Sequence, residues 1–498
     1  MRFENDMTTA NKFTYRDEVA ERLADFTVNV SGDLDADIRH AAKRALSDSV
    51  AVALGALDHQ ASHIARKFAG PFTRPDGAVI WGTSMRANPD LAAFVNGSLL
   101  RCYDYNDFYV GERNSGHPSD MTAAVIAVGE WIDASGEDVL VALAVGYEVV
   151  GAAFDAFSTA PGGWDYTNLT AIGACAAIAR LLKLDVEQAR EAFGMTVTPH
   201  FATDEVESCE LNARGDLTLW KRFNGSDAVR NALQACFLAQ AGVEAPVRPF
   251  TGSNGFIAKL ANKHDPVPVI LDRLQTGNKL TRIAWTYMKL WPVGSMAQSA
   301  IRAALEARAQ VKDLSQIKEV RVFSEEGSYQ HFIEMRQDPY HPISRETADH
   351  SMPYVVAAAI LEGNIGIESF DLERVLDGKR QKFVAEQVKC VADPTLGALK
   401  DGKLARAGAG YLSRVEIELQ DGTVVHGAAK PFPGHPKAPF SDADIAQKVT
   451  QNALAFAGQE VTDQIIKALV TFDTIANVKD FTKILAFDWA SAKREKAA

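Results

Sequence analysis

The feature that most constrains this chain is a series of alanine-rich apolar segments in its first half. Residues 38–57 carry apolar side chains at three- and four-residue spacing, the period of one helix face. Similar segments follow at residues 90–100, 121–131, 139–157, 169–182, 186–196 and 227–242. Because small side chains let helices approach closely, this pattern predicts a compact all-α domain.

The sequence changes character after residues 264–268, a proline-containing stretch that we interpret as a linker. Strands are predicted at residues 317–323, 387–391 and 414–419, and the Asp421-Gly422 pair is typical of a hairpin turn. Predicted helices interleave at residues 296–307 and 354–361, and helical periodicity returns at residues 441–456 and 461–472.

These segments together predict a mostly α fold. We expect a large all-α helical domain formed by the N- and C-terminal parts, residues 1–275 and 431–498. A smaller inserted α+β lid domain, residues 276–430, is expected to leave a cleft against the helical body. Residues 1–16 are polar, and we expect them to be disordered or held on the surface.

Charge and cysteine content exclude several classes of function. The chain has 52 Lys and Arg against 64 Asp and Glu, a net charge of −12, with no basic cluster that would suit a nucleic acid. None of its five cysteines are paired at Cys-x-x-Cys spacing, which argues against structural zinc or an iron–sulfur cluster. Such a scattered, odd-numbered set is typical of the reducing cytoplasm.

Membrane insertion and secretion are not expected either. The first 14 residues lack the apolar core of a secretory signal. The longest apolar stretch, residues 139–154, is interrupted by Glu148 and is short for a bilayer span, so we interpret it as a buried helix.

The strongest candidate for chemistry is a polar loop between two apolar helices. It carries Asp104, Asp107 and His117, and Ser119 or Asp120 is predicted to cap the following helix. Histidine titrates near neutrality and a carboxylate can tune it, so Asp107 and His117 suit proton transfer. The alternative is a structural loop with a satisfied histidine.

Three cationic side chains are candidates for binding an anion. Lys221 lies beside an aromatic residue, Lys289 lies between apolar residues, and Arg345 could bind a carboxylate through two hydrogen bonds. The alternatives are a snorkelling Lys221, a domain-joining loop around Lys289 and a solvated capping turn at Arg345.

The glycine-rich segment at residues 162–168 is a further candidate, since glycine lets the backbone approach a ligand. Thr167 or Asn168 is predicted to cap the next helix, and Ser295 to cap the helix that carries Gln298. The alternative at residues 162–168 is a plain turn between helices with Trp164 buried.

The constellation as a whole suits a cofactor-free enzyme that acts on a small polycarboxylate. The sequence contains no nucleophile elbow, phosphate-binding loop or metal-ligand cluster. Cations that neutralise a carboxylate make its α-proton easier to remove, because they stabilise the charge that develops.

These stretches together resemble the MmgE/PrpD family of 2-methylcitrate dehydratases and cis-aconitate decarboxylases. The matching motifs occur in order along nearly the whole chain: Asn96-Gly97, Tyr103-Asp104-Tyr105-Asn106-Asp107, Gly116-His117-Pro118-Ser119-Asp120, Gly163-Trp164-Asp165, Trp220-Lys221, Lys289-Leu290-Trp291-Pro292, Thr347-Ala348-Asp349-His350-Ser351 and Gly434-His435-Pro436.

The resemblance implies the two-domain architecture predicted above, a homodimer and a cleft site without a cofactor. It places the family's catalytic positions on Asp107, His117, Lys221 and Lys289. The aspartate-rich motif keeps Asp104 and Asp107 but has Asn106 between them. Asp165 stands where decarboxylase members often have histidine and looks more like the dehydratase branch, and Gln298 stands where many relatives have histidine. The departures at Asp165 and Gln298 leave the substrate open.

We therefore expect a carbon–oxygen lyase of the 2-methylcitrate dehydratase type. Asp107 and His117 would form the acid/base apparatus, and Lys221, Lys289 and Arg345 would hold carboxylates. The remaining predicted substrate-binding residues are Asp104, Asp165, Asn168 and His350. The alternatives are a decarboxylase like cis-aconitate decarboxylase, an epimerase like iminodisuccinate epimerase, or an inactive polycarboxylate-binding protein.

Overall fold

The computed structural model describes residues 16–207, 211–213, 217–397, 399–400, 403–404 and 411–490, so the predicted N-terminal strap lies almost wholly outside the described residues. The described chain is mostly α-helical, as its periodicity predicts. Its helices are α1 Glu18–Asn29, α2 Ala36–Gly55, α3 Gln60–Ala69, α4 Pro89–Arg101, α5 Thr122–Trp131, α6 Gly136–Ala156, α7 Thr167–Leu181, α8 Val186–Val197, α9 Asn224–Gln240, α10 Phe256–Leu260, α11 Val267–Arg273, α12 Gln298–Arg308, α13 Glu326–Tyr329, α14 Arg345–Asp349, α15 Met352–Glu362, α16 Leu372–Val375, α17 Gly378–Gln387, α18 Asp442–Val470 and α19 Val478–Ile484.

The described strands form one four-stranded sheet and three two-stranded pairs. They are β1 Thr73–Val79, β2 Arg86–Ala87, β3 Tyr109–Val110, β4 Ser115–Gly116, β5 Ile317–Ser324, β6 Val388–Ala392, β7 Leu399–Lys400, β8 Lys403–Leu404, β9 Ser413–Leu419 and β10 Val424–Gly427.

The alanine-rich helices build the first hydrophobic core. Helix α6 packs on α7, α7 packs on α9, and the C-terminal α18 packs along α2. Helix α6 is long and apolar enough to cross a membrane, yet 94% of its most apolar window is buried inside the structure. Its apolar surface is therefore used for packing against neighbouring helices.

The second hydrophobic core surrounds the four-stranded sheet, whose order is β10-β9-β5-β6. Strand β5 pairs antiparallel with β9 and parallel with β6. Its buried residues Ile317, Val320 and Val322 face helices of this core, as the alternating sequence predicts. Gly422 lies in the predicted β9–β10 turn with φ of 85°, a conformation that glycine adopts without strain.

Several local predictions are wrong in detail. The predicted linker at residues 264–268 is in part helical, because α11 begins at Val267 behind Pro266. By contrast, the two predicted C-terminal helices are confirmed as the two halves of α18, which are separated by a break at Gly458, where φ is 75° and ψ is 170°.

The predicted side-chain caps at Ser119, Asp120, Thr167, Asn168 and Ser295 are wrong as well. The N-cap residues of α5 and α7 are Met121 and Tyr166, and neither makes a side-chain capping hydrogen bond. Ser295 lies inside a short 3₁₀ turn. The side chains of Ser119, Asp120 and Asn168 are instead bonded to groups elsewhere in the fold.

Candidate active site

A cavity of about 310 Å³ lies where residues of the two cores meet. The first core supplies Arg101, Asp104, His117 and Lys221 to its wall, and the second region supplies Phe332 and His350. Other lining residues are Phe108, Asn114, Ser115, Gly116, Thr159, Ala160, Trp164, Tyr166, Asp204, Gly294, Ser295, Met296, His331, Met335 and Tyr411. The cavity thus collects cations, histidines and two carboxylates, Asp104 and Asp204, from distant parts of the chain.

Asp104 is the centre of the charge network in this cavity. Its Oδ1 accepts a hydrogen bond from Lys289 Nζ at 2.9 Å, and Arg101 Nη1 lies 3.7 Å from the same oxygen. Its Oδ2 lies 3.4 Å from His350 Nε2. Burial opposes ionisation of Asp104, but Lys289, His350 and Arg101 together hold its pKa well below the usual value.

His117 presents one ring nitrogen to the cavity and anchors the other. Its Nδ1 contacts the main-chain oxygen of Asp107, while its Nε2 lies 3.9 Å from Asp104 Oδ1. The ring of Tyr166 packs edge-on against the imidazole at 5.5 Å between centroids. Burial, together with the charges of Arg101 and Lys289, lowers the pKa of His117 well below its usual value, so the ring is neutral at pH 7.

Lys221 and His350 meet beside Oδ2, the second carboxylate oxygen of Asp104. Lys221 comes from the 3₁₀ turn Leu219–Arg222, and His350 lies between α14 and α15. Lys221 Nζ and His350 Nε2 are 3.4 Å apart, and both side chains are buried. The sequence separation of these two residues shows that only the tertiary fold brings this wall together.

Lys289 is absent from the lining of the cavity, but its ammonium binds Asp104, which belongs to that lining. Its ammonium also donates to the main-chain oxygen of Asp104 at 2.7 Å. Burial lowers the pKa of Lys289 to about 8, although Asp104 opposes that shift. The backbone that follows Lys289 is held by Gln298, whose Oε1 accepts from the N–H groups of Leu290 and Trp291 at 3.1 and 3.2 Å.

Asp107 also lies one layer behind the cavity. Its carboxylate accepts from the N–H of Ser119 at 3.0 Å and from the hydroxyl of Tyr147 at 2.9 Å. Burial raises the pKa of Asp107 to about 7, against the effect of the Ser119 hydrogen bonds. The group next to His117 is therefore the main-chain oxygen of Asp107, and the carboxylate braces the loop.

Three predicted substrate-binding residues are absent from the lining of this cavity. The Asp165 carboxylate accepts from the N–H of Thr167 at 2.7 Å, at the start of α7. Asn168 Nδ2 donates to the main-chain oxygen of Ala202 at 2.7 Å. Arg345 stacks over the ring of Tyr103 at 4.3 Å and donates to the main-chain oxygen of Ile367 at 2.8 Å.

A neighbouring cavity of about 450 Å³ is larger but has different chemistry. Asn168 belongs to its wall, along with His200, Glu205, Trp220 and Asp227. Within the described part of the chain, its lining has two acidic residues and no Lys or Arg. A polycarboxylate would be repelled there, so the smaller, cationic cavity is the better candidate site.

Two features of the wall were missed by sequence reasoning. Arg101 is buried at the head of the polar loop, and its position beside two aspartates was an available signal. Phe332 and His331 lie on a π-helical turn, Gln330–Glu334, a rare geometry often found at functional sites. No spacing in the sequence identifies that turn.

The described residues contain no group of three or more His, Cys, Asp or Glu side chains arranged to hold a metal ion. The Asp104 carboxylate is instead paired with Lys289 and His350.

Comparisons with known proteins agree with this architecture. The MmgE/PrpD N-terminal domain matches residues 21–268, and the MmgE/PrpD C-terminal domain matches residues 291–471. Human cis-aconitate decarboxylase is 23% identical over 470 residues, which cover 91% of each chain. The 2-methylcitrate dehydratase of Escherichia coli is 25% identical over 83% of this chain and 85% of its own. The Cupriavidus necator 2-methylcitrate dehydratase is 25% identical over 79% of this chain and 81% of its own.

Proposed function

Because the chain belongs to the MmgE/PrpD family, we propose that it is a lyase that eliminates water from a small hydroxy-polycarboxylate without a cofactor. The reaction type proposed is that of 2-methylcitrate dehydratase, a name that several relatives carry. The observation that carries the proposal is the cavity in which neutral His117 faces Lys221, Arg101 and His350.

Elimination needs a base for the proton α to a carboxylate. His117 suits this role, because a neutral imidazole with Nδ1 on a carbonyl leaves Nε2 able to accept a proton. Lys221 and Arg101 would bind substrate carboxylates and stabilise the negative charge that develops as the proton leaves. Asp107 and Lys289 would act indirectly, by bracing the loop of His117 and by neutralising Asp104.

The three remaining predicted binding residues have different proposed roles. Asp165 and Asn168 would position the start of α7, since their side chains bond to backbone groups there. Arg345 would fix α14 through its stacking on Tyr103 and Phe370.

We also propose that residues 276–430 form a lid over this cavity. Gly294, Ser295 and Met296 of this segment line the cavity together with His350 and Phe332. Residues 276–430 contain most of the second hydrophobic core. A segment with its own core could move as a unit relative to the helical body, as a lid must.

A cytoplasmic homodimer is proposed from the family resemblance. An exposed aromatic row supports self-association: Phe72, Phe68 and Trp220 are 60%, 48% and 50% exposed. Phe94 and Phe223 link them through ring contacts of 5.7 to 6.3 Å. Sedimentation of the purified chain would measure its mass, and a monomer would contradict this part of the proposal.

The test is a panel of hydroxy-tricarboxylates together with cis-aconitate. Loss of water creates a conjugated double bond that absorbs in the ultraviolet, whereas decarboxylation releases carbon dioxide. We expect ultraviolet absorbance to rise with at least one hydroxy acid and no carbon dioxide release. Carbon dioxide from cis-aconitate would favour the decarboxylase alternative, and binding without turnover would favour a polycarboxylate-binding protein.

The His117→Ala variant should fold normally and lose about 10²- to 10⁴-fold in turnover, the usual contribution of general acid–base catalysis. Circular dichroism checks the fold, and the ultraviolet assay measures the rate. Wild-type turnover in this variant would remove His117 from the mechanism.

A further inference from the structure

The cavity contains a second histidine whose surroundings differ from those of His117. His350 Nδ1 lies 2.5 Å from the Oδ1 of Asp349, and both side chains are buried. The other oxygen of Asp349 is buried and has no hydrogen-bond partner among the described residues. The carboxylate is thus placed chiefly to hold the imidazole of His350.

The ring of His350 is fixed on its face as well as at its edge. Phe332 stacks on it at 5.9 Å between centroids, with planes only 12° apart. Its Nε2 faces the cavity, 3.4 Å from Asp104 Oδ2 and 3.4 Å from Lys221 Nζ. The Nε2 nitrogen therefore points to the space where a substrate would bind, and its direction is set before binding.

The two histidines are held by acceptors of different charge. His117 Nδ1 contacts a neutral main-chain oxygen, whereas His350 Nδ1 contacts a carboxylate. An anionic partner fixes the tautomer and favours the imidazolium form more strongly than an uncharged carbonyl does. Unequal surroundings of this kind separate the base of a site from its acid.

We propose that His350 is the general acid that protonates the leaving hydroxyl, with Asp349 as its positioning residue. This inference rests on the proposed function and goes beyond the substrate-orienting role that the sequence suggested for His350. It divides proton transfer between two histidines that lie near different carboxylate oxygens of Asp104.

The proposed step balances as a simple elimination. His117 Nε2 takes the proton α to a carboxylate, and the C–H electron pair becomes the new carbon–carbon double bond. The C–O bond breaks at the same time or afterwards, and the hydroxyl leaves with the Nε2 proton of His350 as water. His117 then returns its proton to solvent, and His350 regains one, so the enzyme is unchanged.

A substrate with a fluoride leaving group separates the acid from the base, because fluoride departs without being protonated. The experiment compares the best hydroxy-tricarboxylate of the panel with its analogue in which fluorine replaces the hydroxyl. Water loss is followed by ultraviolet absorbance and fluoride loss with a fluoride electrode. The variants are His350→Gln, Asp349→Asn and, as a matched control, His117→Gln, each checked by circular dichroism.

We expect His350→Gln to lose about 10²- to 10⁴-fold in kcat for water loss, while its fluoride loss stays near the wild-type rate. Asp349→Asn should show the same selectivity to a smaller extent, through kcat more than KM. His117→Gln should lose both reactions. If His350→Gln does not fold, the selectivity of Asp349→Asn alone decides the matter.

Two results would overturn the inference while leaving the proposed function intact. One is an equal loss of water and fluoride release in the His350 variant, and the other is a rise in its KM with kcat unchanged. A wild-type enzyme that releases neither water nor fluoride would instead refute the proposed function, and the inference with it.

Discussion

Asp104 shows how one residue can set the electrostatics of a cavity. Its backbone has φ of 46°, a left-handed conformation that aspartate tolerates better than most residues. This turn directs the carboxylate toward Lys289 on one side and His350 on the other. Lys289 offsets the negative charge that this carboxylate adds to the wall of the cavity.

The charge state of Lys289 leads to a pH prediction. Below pH 8 its ammonium offsets Asp104, and as the pH rises through its pKa of about 8 the proton is lost. Asp104 then adds net negative charge to the wall, so KM for a polycarboxylate should rise above pH 8. Initial rates measured between pH 6.5 and 9.5 would show this rise.

Two variants of Lys289 serve as controls for that prediction. Lys289→Arg keeps its charge over the whole range, because a guanidinium stays protonated there, and its KM should stay flat. Lys289→Met should have a raised KM at every pH. If Lys289→Arg shows the wild-type rise, another group must titrate.

At the scale of elements, the junction between α14 and α15 positions His350. Ser351 caps α15, because its Oγ accepts from the N–H of Tyr354 at 3.1 Å. The same hydroxyl donates to the main-chain oxygen of Pro339 at 2.5 Å. The cap therefore also ties the histidine-bearing junction to a neighbouring loop.

Removing this cap should affect both stability and activity. Ser351→Ala should cost about 1 kcal/mol of unfolding free energy, as is usual for a lost N-cap, and should lower kcat because the adjacent His350 loses support. Ser441 caps α18 through the N–H of Asp444 at 3.2 Å and provides the matched control. Denaturant unfolding and turnover are measured on both variants.

Ser441→Ala should lose similar stability with unchanged kcat, since Ser441 is absent from the wall of the cavity. Equal kcat values in the two variants would mean that the Ser351 cap has no influence on the catalytic geometry.

Helix existence was more predictable than helix capping. Repeating apolar positions are a local property of the sequence, so most helices and the strands β5, β6 and β9 were predicted close to their observed bounds. Caps were mispredicted where a polar side chain found a distant partner. Asp120, for example, faces Arg101 and Tyr166 in the folded chain.

At the scale of the whole molecule, a buried ion pair connects the C-terminal helix to the site. Lys448 Nζ donates to Asp48 Oδ1 at 2.6 Å and to the main-chain oxygen of Lys289 at 2.7 Å. Both charged side chains are buried. Helices from opposite ends of the sequence thereby support the segment that carries Lys289.

Breaking this pair should be strongly destabilising. Lys448→Met leaves the Asp48 carboxylate buried without its charged partner, which should cost about 3–5 kcal/mol of unfolding free energy. The double variant Asp48→Leu/Lys448→Met removes both charges and should lose less. Denaturant midpoints measure both, and a double variant as unstable as the single one would contradict this account.

The sequence by itself determined the mostly α architecture, the strands of the sheet and the family, because apolar periodicity and ordered motifs are readable along the chain. It also predicted Asp104, His117, Lys221 and His350 as candidate site residues, but it did not predict Arg101 or Phe332. Only the tertiary structure decided which of them face the cavity: His117, Lys221, Asp104 and His350 do, whereas Asp107 and Lys289 stand behind them. The reason is physical, since burial and pairing depend on contacts between residues far apart in sequence, and these exist only in the folded chain.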